Sequence, residues 1–269
     1  MRLVKILLIL ILVVVTALYG VTTFSEQYSG KTVAPVISCS SDVLEISVAD
    51  EESVLLSGIT ATDKQDGALT GKIQISGISK MLSDNKAKVT YLVFDSDHNM
   101  ASFTRYIRYK DYTSPRFSIE EPLIYYKSES IALLDRISVE DCIDGDITDS
   151  VRVSSLSATS DAETYQVTVQ VTNSMGDTAR LELPVIQLEG FSIRPEVKLT
   201  SYLVYLSTGA SFDAESYLVY VGTPDGRGDK DDVQITGSVD TSTPGTYMVR
   251  YTYPYGTTSG TSILTVVVE

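Results

Sequence analysis

The sequence predicts an all-β chain, with three tandem β-sandwich domains in an extended array preceded by one N-terminal transmembrane helix. Three observations predict it. Pro35, Pro115 and Pro195 stand at an even 80-residue spacing, and each opens a stretch of the same texture. A block of residues around Asp63 recurs 78 positions later around Asp141. Short alternating runs of Val, Ile, Tyr and Thr are separated by Gly, Asp, Asn and Ser, which is the composition of strands and turns. A period of this length marks a repeated architecture and outranks any single motif.

The N-terminal segment comes first. Arg2 and Lys5 precede a run without charge that extends to Ser25, and residues 6–15 are almost entirely Leu, Ile and Val. A helix needs about 20 apolar residues to cross the hydrocarbon core, and this run is just long enough. Residues 1–5 therefore read as a cytoplasmic N-terminus, 6–24 as a transmembrane helix or signal anchor, and 25–34 as a linker. The two basic residues predict a single-pass protein of the cell membrane with its C-terminal domains extracellular. The competing reading is a signal peptide cleaved near Ala17, after Val15 and Thr16, which would make the protein secreted. No Cys follows the apolar run to carry a lipid, and no second apolar span appears.

The repeats divide the rest into residues 35–113, 114–190 and 191–269. In the first, Ile59, Asp63, Asp66, Gly67, Leu69 and Thr70 lead to Ile73. In the second, Ile137, Asp141, Asp144, Gly145, Ile147 and Thr148 lead to Val151. This reads as a strand that ends in a turn: Gly supplies free φ, Asp bonds nearby amides, and Thr opens the next strand. Each module then has a strand of period-two alternation. It is Val89, Tyr91 and Val93 in the first module, Tyr165, Val167, Val169 and Val171 in the second, and Tyr247, Val249, Tyr251 and Tyr253 in the third. A polar turn and a closing strand follow as a hairpin. Around seven short strands per 80 residues is the pattern of an Ig-like sandwich, with Tyr165 and Tyr247 at the position of a tyrosine corner. Pro115 and Pro195 stiffen the junctions and predict a semi-rigid rod.

Ala61, Thr62, Asp63, Asp66 and Gly67, with Tyr91, Asp95 and Ser96 further on, closely resemble a bacterial Ig-like repeat family. It is the one also found in a pesticidal crystal protein and related to hyalin-type repeats. Val239 to Tyr247, through Pro244 and Gly245, adds a similar stretch in the third module. The resemblance covers about residues 34–269. It implies the sandwich fold and an extracellular setting, where such repeats serve as spacers and binding modules. The third module departs from the pattern: its Asp-Gly turn is replaced by a longer stretch from Gly222 to Asp232.

The formal charge is -14. A surface this acidic argues against nucleic acid, because phosphate binding needs clustered Lys and Arg. It suits solubility or cation binding. The acidic turns supply the candidate metal ligands: Asp63, Asp66, Asp95 and Asp97 in the first module, and Asp141, Asp144, Asp146 and Asp177 in the second. Clustered carboxylates suit calcium, which takes oxygen ligands. The competing reading is that these residues cap turns, and their spacing matches no named calcium loop. No other cofactor is expected.

No catalytic arrangement stands out. His98, the single histidine, lies in a polar turn. Cys39 reads as a small core residue and Cys142 as an exposed thiol. They sit in different modules, so no disulfide between them is expected. Arg227, Gly228 and Asp229 form a tripeptide that integrins read, which turn composition explains equally well. Tyr217, Tyr220 and Tyr255 are candidates to stack on sugars. The chain is therefore expected to be no enzyme but a membrane-anchored surface stalk or adhesion module, meeting a cell-surface protein or glycan through its distal domain. The alternatives are a subunit of a larger bacterial envelope complex, or a secreted glycan-binding module if the N-terminus is cleaved.

Overall fold

The computed structural model describes residues 11–21, 33–127, 130–159, 163–189 and 194–269. Residues 11–21 form a helix. Its Ile11, Leu12, Val13, Val15, Leu18 and Val21 are all exposed. No helix among the described residues is long and apolar enough to cross a membrane. The remainder of the predicted span, residues 6–10 and 22–24, lies outside the described residues. So do most of the linker and residues 190–193 at the second junction.

The chain divides into two compact units. One comprises residues 1–46, 50–79 and 86–108, and the other residues 47–49, 80–85 and 109–269. The first repeat contributes β1 (Val36–Cys39), β2 (Val43–Ile46), β3 (Ile59–Asp63), β4 (Gly67–Ala68), β5 (Gln74–Ile78), β6 (Lys86–Phe94) and β7 (Met100–Tyr109). They form a three-stranded sheet, β1-β3-β4, and a four-stranded sheet, β2-β7-β6-β5. The alternation seen in the sequence is the pleat. Ile59, Ala61 and Asp63 of β3 are buried, as are Ala87, Val89, Tyr91 and Val93 of β6, and their neighbours face outward. Side chains of opposite phase point to opposite faces of a strand, so one face of each sheet supplies the core.

The larger unit repeats this plan twice. β8 (Arg116–Ile119), β10 (Ile137–Asp141) and β11 (Gly145–Asp146) make one sheet. β9 (Ile124–Tyr126), β12 (Arg152–Ala158), β13 (Thr164–Thr172) and β14 (Thr178–Leu188) make the other, in the order β12-β13-β14-β9. The third repeat has β15 (Glu196–Leu199), β17 (Leu218–Thr223) and β18 (Gly226–Gly228) facing β16 (Leu203–Leu206), β19 (Gln234–Thr236), β20 (Gly245–Tyr255) and β21 (Thr258–Val268). In both, a short strand pairs in parallel with the last one, β9 with β14 and β16 with β21. All other pairings within this unit are antiparallel. Three pairs of packed sheets, each with three strands against four, make the described residues an all-β protein of Ig-like sandwiches.

Residues 109–269 differ from the extended array that Pro195 predicts. Their buried apolar side chains form one continuous cluster from Phe117 to Val268. The Phe117 amide donates to the Tyr205 hydroxyl at 3.2 Å. Arg116 lies 4.4 Å over the Tyr205 ring and pairs with Glu269. Arg250 reaches Thr164 Oγ1 at 3.4 Å. The last two sandwiches thus share a packed flank, in which β8 packs on β16 and β14 on β20.

Two further expectations are corrected. Cys39 is half-buried at the end of β1, where its thiol donates to the Ser41 carbonyl at 2.9 Å. Cys142 is half-buried as well, with its sulfur bonded to the Thr113 carbonyl at 3.1 Å and accepting from the Thr113 amide at 3.4 Å. Both thiols are free.

Candidate functional site

The duplicated acidic block folds the same way twice. At the end of β3, Asp63 Oδ1 accepts from the amides of Gln65 at 2.7 Å and Asp66 at 2.9 Å. At the end of β10, Asp141 Oδ1 accepts from Ile143 and Asp144, both at 2.9 Å. Gly67 and Gly145 then take φ of 73° and 70°, a left-handed conformation that favours glycine. Thr70 Oγ1 takes the Ala61 amide at 3.1 Å, and Thr148 Oγ1 takes the Val139 amide at 2.9 Å. In both copies the acid therefore satisfies two backbone amides and the threonine one.

The second acid of each block fastens the hairpin turn. Asp66 accepts from the Ser96 amide at 2.6 Å and the Ser96 hydroxyl at 2.7 Å. Asp144 accepts from the Ser174 amide and hydroxyl, both at 2.6 Å. Charge-assisted bonds of this kind are among the strong ones. The turn residues then diverge. In the first copy Asp95 Oδ1 accepts from the Asn99 amide at 2.8 Å, and its Oδ2 from the Asn99 side chain at 2.7 Å. In the second copy acid and amide are exchanged: Asn173 Oδ1 accepts from the Asp177 amide at 2.9 Å. The Asn173 side-chain nitrogen donates to Asp141 Oδ2 at 3.0 Å and to the Tyr112 hydroxyl at 2.9 Å. Tyr112 in turn donates to Asp177 Oδ2 at 2.7 Å.

Electrostatics follow from these bonds. The amides of Asp66 and Gln65 hold the Asp63 carboxyl below its usual range. The Thr148 hydroxyl and amide do the same for Asp146. Burial, then the hydrogen bond to the Asp177 carboxylate, raises the Tyr112 phenol far above its ordinary value.

The predicted ligands are thus gathered only in part. Asp63, Asp66 and Asp95 share one turn cluster, while Asp97 is exposed on the turn itself. Asp141, Asp144 and Asp177 share the other, whereas Asp146 lies apart. It lines a polar concavity of about 530 Å³ with Glu120, Glu121, Asp135 and Asp149. Among the described residues no group of three or more His, Cys, Asp or Glu side chains is placed to hold a metal.

Other candidates are engaged elsewhere. Tyr217 is half-buried and stacks on Phe212 at 5.8 Å. Tyr220 donates to Glu196 at 2.8 Å, and Tyr255 to Asp225. Arg227 and Gly228 lie in β18, and Asp229 caps the turn after it by accepting from the Asp231 amide. Tyr247 makes the predicted corner, donating to the Thr243 carbonyl at 2.8 Å. Tyr165 instead lines an apolar cavity of about 380 Å³ beside Leu133, Val153, Leu156 and Val167.

Sequence reading missed Arg105. This guanidinium is 2% exposed, inside the first sandwich. It donates to the Tyr91 hydroxyl at 2.9 Å and to the carbonyls of Leu55 and Ser57 at 2.5 and 2.7 Å. Its register on β7, in phase with buried Ile107, was the available signal.

The fold defines a protein of packed Ig-like sandwiches. Residues 200–267 match the family described as bacterial surface protein, Ig-like domain. No curated protein matches the chain. Solved structures it resembles include the CBM51-2 and INT domains of Clostridium perfringens ZmpB in complex with GlcNAc, at 20% identity, 55% of this chain, 26% of that chain and TM-score 0.24. A second, the M60 catalytic domain with CBM51-1 and CBM51-2 of the same protein, has 12% identity, 88% and 31% coverage and TM-score 0.25. Human CDH23 EC21-23 has 10% identity, 87% and 100% coverage and TM-score 0.24. The chain spans about a quarter to a third of the length of the ZmpB structures. At such TM-scores these likenesses carry no functional argument.

Proposed function

We propose that the chain is a non-catalytic surface module of a bacterial envelope, anchored through residues 6–24 and presenting tandem Ig-like domains outside the cell. The match of residues 200–267 to an Ig-like domain of bacterial surface proteins carries this reading. The helix over residues 11–21 supports the anchor: it exposes apolar side chains that an aqueous setting would leave uncovered. The third sandwich is the contact domain, meeting a cell-surface protein or glycan. The test is crosslinking and pull-down of tagged full-length protein from its own membranes, beside the same chain lacking residues 194–269. A surface protein or glycan recovered only with the intact chain is the expected result. Recovery from the soluble fraction, or equal recovery by both forms, would refute the anchored or the distal-contact reading respectively. Stoichiometric inner-envelope partners would instead make the protein a subunit of a larger complex.

A further inference from the structure

We propose that the turn cluster of the first sandwich binds one divalent cation between the carboxylates of Asp63 and Asp95, and that the second sandwich carries an amide in place of that ion. Asp63 is 8% exposed, and its Oδ2 is buried with no hydrogen-bond partner. An acceptor left unsatisfied in the interior loses its hydration without replacement. Its counterpart Asp141 is 5% exposed, yet Asp141 Oδ2 accepts from the Asn173 side chain at 3.0 Å.

The repeat shows what faces Asp63 Oδ2. Asp95 stands 78 positions before Asn173, just as Asp63 stands 78 before Asp141. Asp95 and Asn173 hold the same posture, since the Oδ1 of each accepts from the amide four residues on, at 2.8 and 2.9 Å. Asp95 Oδ2 therefore takes the place of the Asn173 nitrogen. Where the second sandwich has N–H against Asp141 Oδ2, the correspondence sets against Asp63 Oδ2 a carboxylate oxygen whose one donor is the Asn99 side chain. Asp95 is 8% exposed too, so water does little to screen the pair.

Lys64, the one basic residue of the turn, is exposed. None of the ion pairs among the described residues involves Asp63 or Asp95. Asp66 is taken up by Ser96, and Asp97 and His98 are exposed on the turn. Two carboxylates balance one doubly charged ion, and all-oxygen donors select a hard cation of the calcium class. With only two carboxylates, the remaining ligands are carbonyls or water. That places affinity at the weak end, about 10⁻⁴–10⁻³ M, as in extracellular modules.

The test uses the full chain in detergent, stripped with chelator and titrated with CaCl2 by calorimetry and thermal melting. The wild type is expected to bind one ion and to melt higher with calcium. Asp95→Asn and Asp63→Asn each reinstate the amide–carboxylate pair of the second sandwich. Both are expected to fold, to melt above the wild type in chelator, and to bind at least tenfold more weakly. Asp141→Asn should leave the calcium response unchanged, and Asn173→Asp should add a second binding event. No heat and no melting shift at ~10 mM calcium would overturn the proposal. So would a response that survives both Asp63→Asn and Asp95→Asn, or one that Asp141→Asn removes equally.

Discussion

Arg105 shows how one residue alters a repeated core. Its position corresponds to Leu183 of the second sandwich, which is fully buried, and its partner Tyr91 corresponds to Val169. The first sandwich thus holds a buried guanidinium and phenol where the second holds two aliphatic side chains. Arg105→Leu leaves the Ser57 carbonyl and the Tyr91 hydroxyl without their donor, while the Leu55 carbonyl keeps the Tyr91 hydroxyl at 2.6 Å, and it is expected to destabilise the first unit by about 3 kcal/mol, measured by urea unfolding. Tyr112 gives a pH prediction. Its phenol is held neutral in the fold by burial and by the Asp177 carboxylate. The unfolded chain ionises first, near the ordinary value of 10.0, so this stability is complete below that pH and is lost progressively as pH rises from there toward the much higher folded value. Tyr112→Phe should be destabilised by about 1 kcal/mol at pH 7. Its stability should also fall less steeply than the wild type's above pH ~10.

At the scale of elements, hairpins and Asx turns do the organising. The strand that ends at Asp63 or Asp141 closes on its own amides, and the acid three residues on holds the following hairpin through a serine. β21 shows a different constraint. A Cβ at Gly260 would lie 2.3 Å from the Pro195 carbonyl oxygen, so the strand passes the proline backbone only as glycine. Gly260→Ala should therefore destabilise the third sandwich by about 1–3 kcal/mol, read as a lower melting temperature with little change in secondary structure. β12 is an edge strand whose side chains are exposed throughout, and its register shifts between Val153 and Ser155. Such a bulge turns an open edge away from pairing with another chain.

For the molecule as a whole, the second and third sandwiches share one packed cluster from Phe117 to Val268, which predicts that they unfold together. Tyr205 lies at their boundary, accepting from Phe117 and lying beneath Arg116. Tyr205→Ala is expected to raise hydrogen exchange in β13 and β20 together, although only β20 belongs to the mutated sandwich. Loss of protection confined to the third sandwich would mean the two fold independently.

The sequence by itself determined the local chemistry. Period-two alternation set which face of β3, β6, β13 and β20 is buried, because side chains alternate across a strand. The spacing of Asp63, Gly67 and Thr70, repeated in Asp141, Gly145 and Thr148, set the turn, because the acid and the threonine satisfy backbone amides within ten positions and the glycine takes the left-handed φ between them. Only the tertiary structure decided what is non-local. The phenol of Tyr112 meets Asn173 across 61 positions, and Arg105 reaches Leu55 across 50. The side-by-side packing around Tyr205 joins residues 88 apart. None of these contacts leaves a period or a spacing in the chain, since they depend on how sheets pack after the strands have formed. The same holds for the acid cluster. The sequence marks eight aspartates alike, and packing alone separates Asp63, whose buried oxygen lacks a partner, from those met by backbone amides, side chains or solvent.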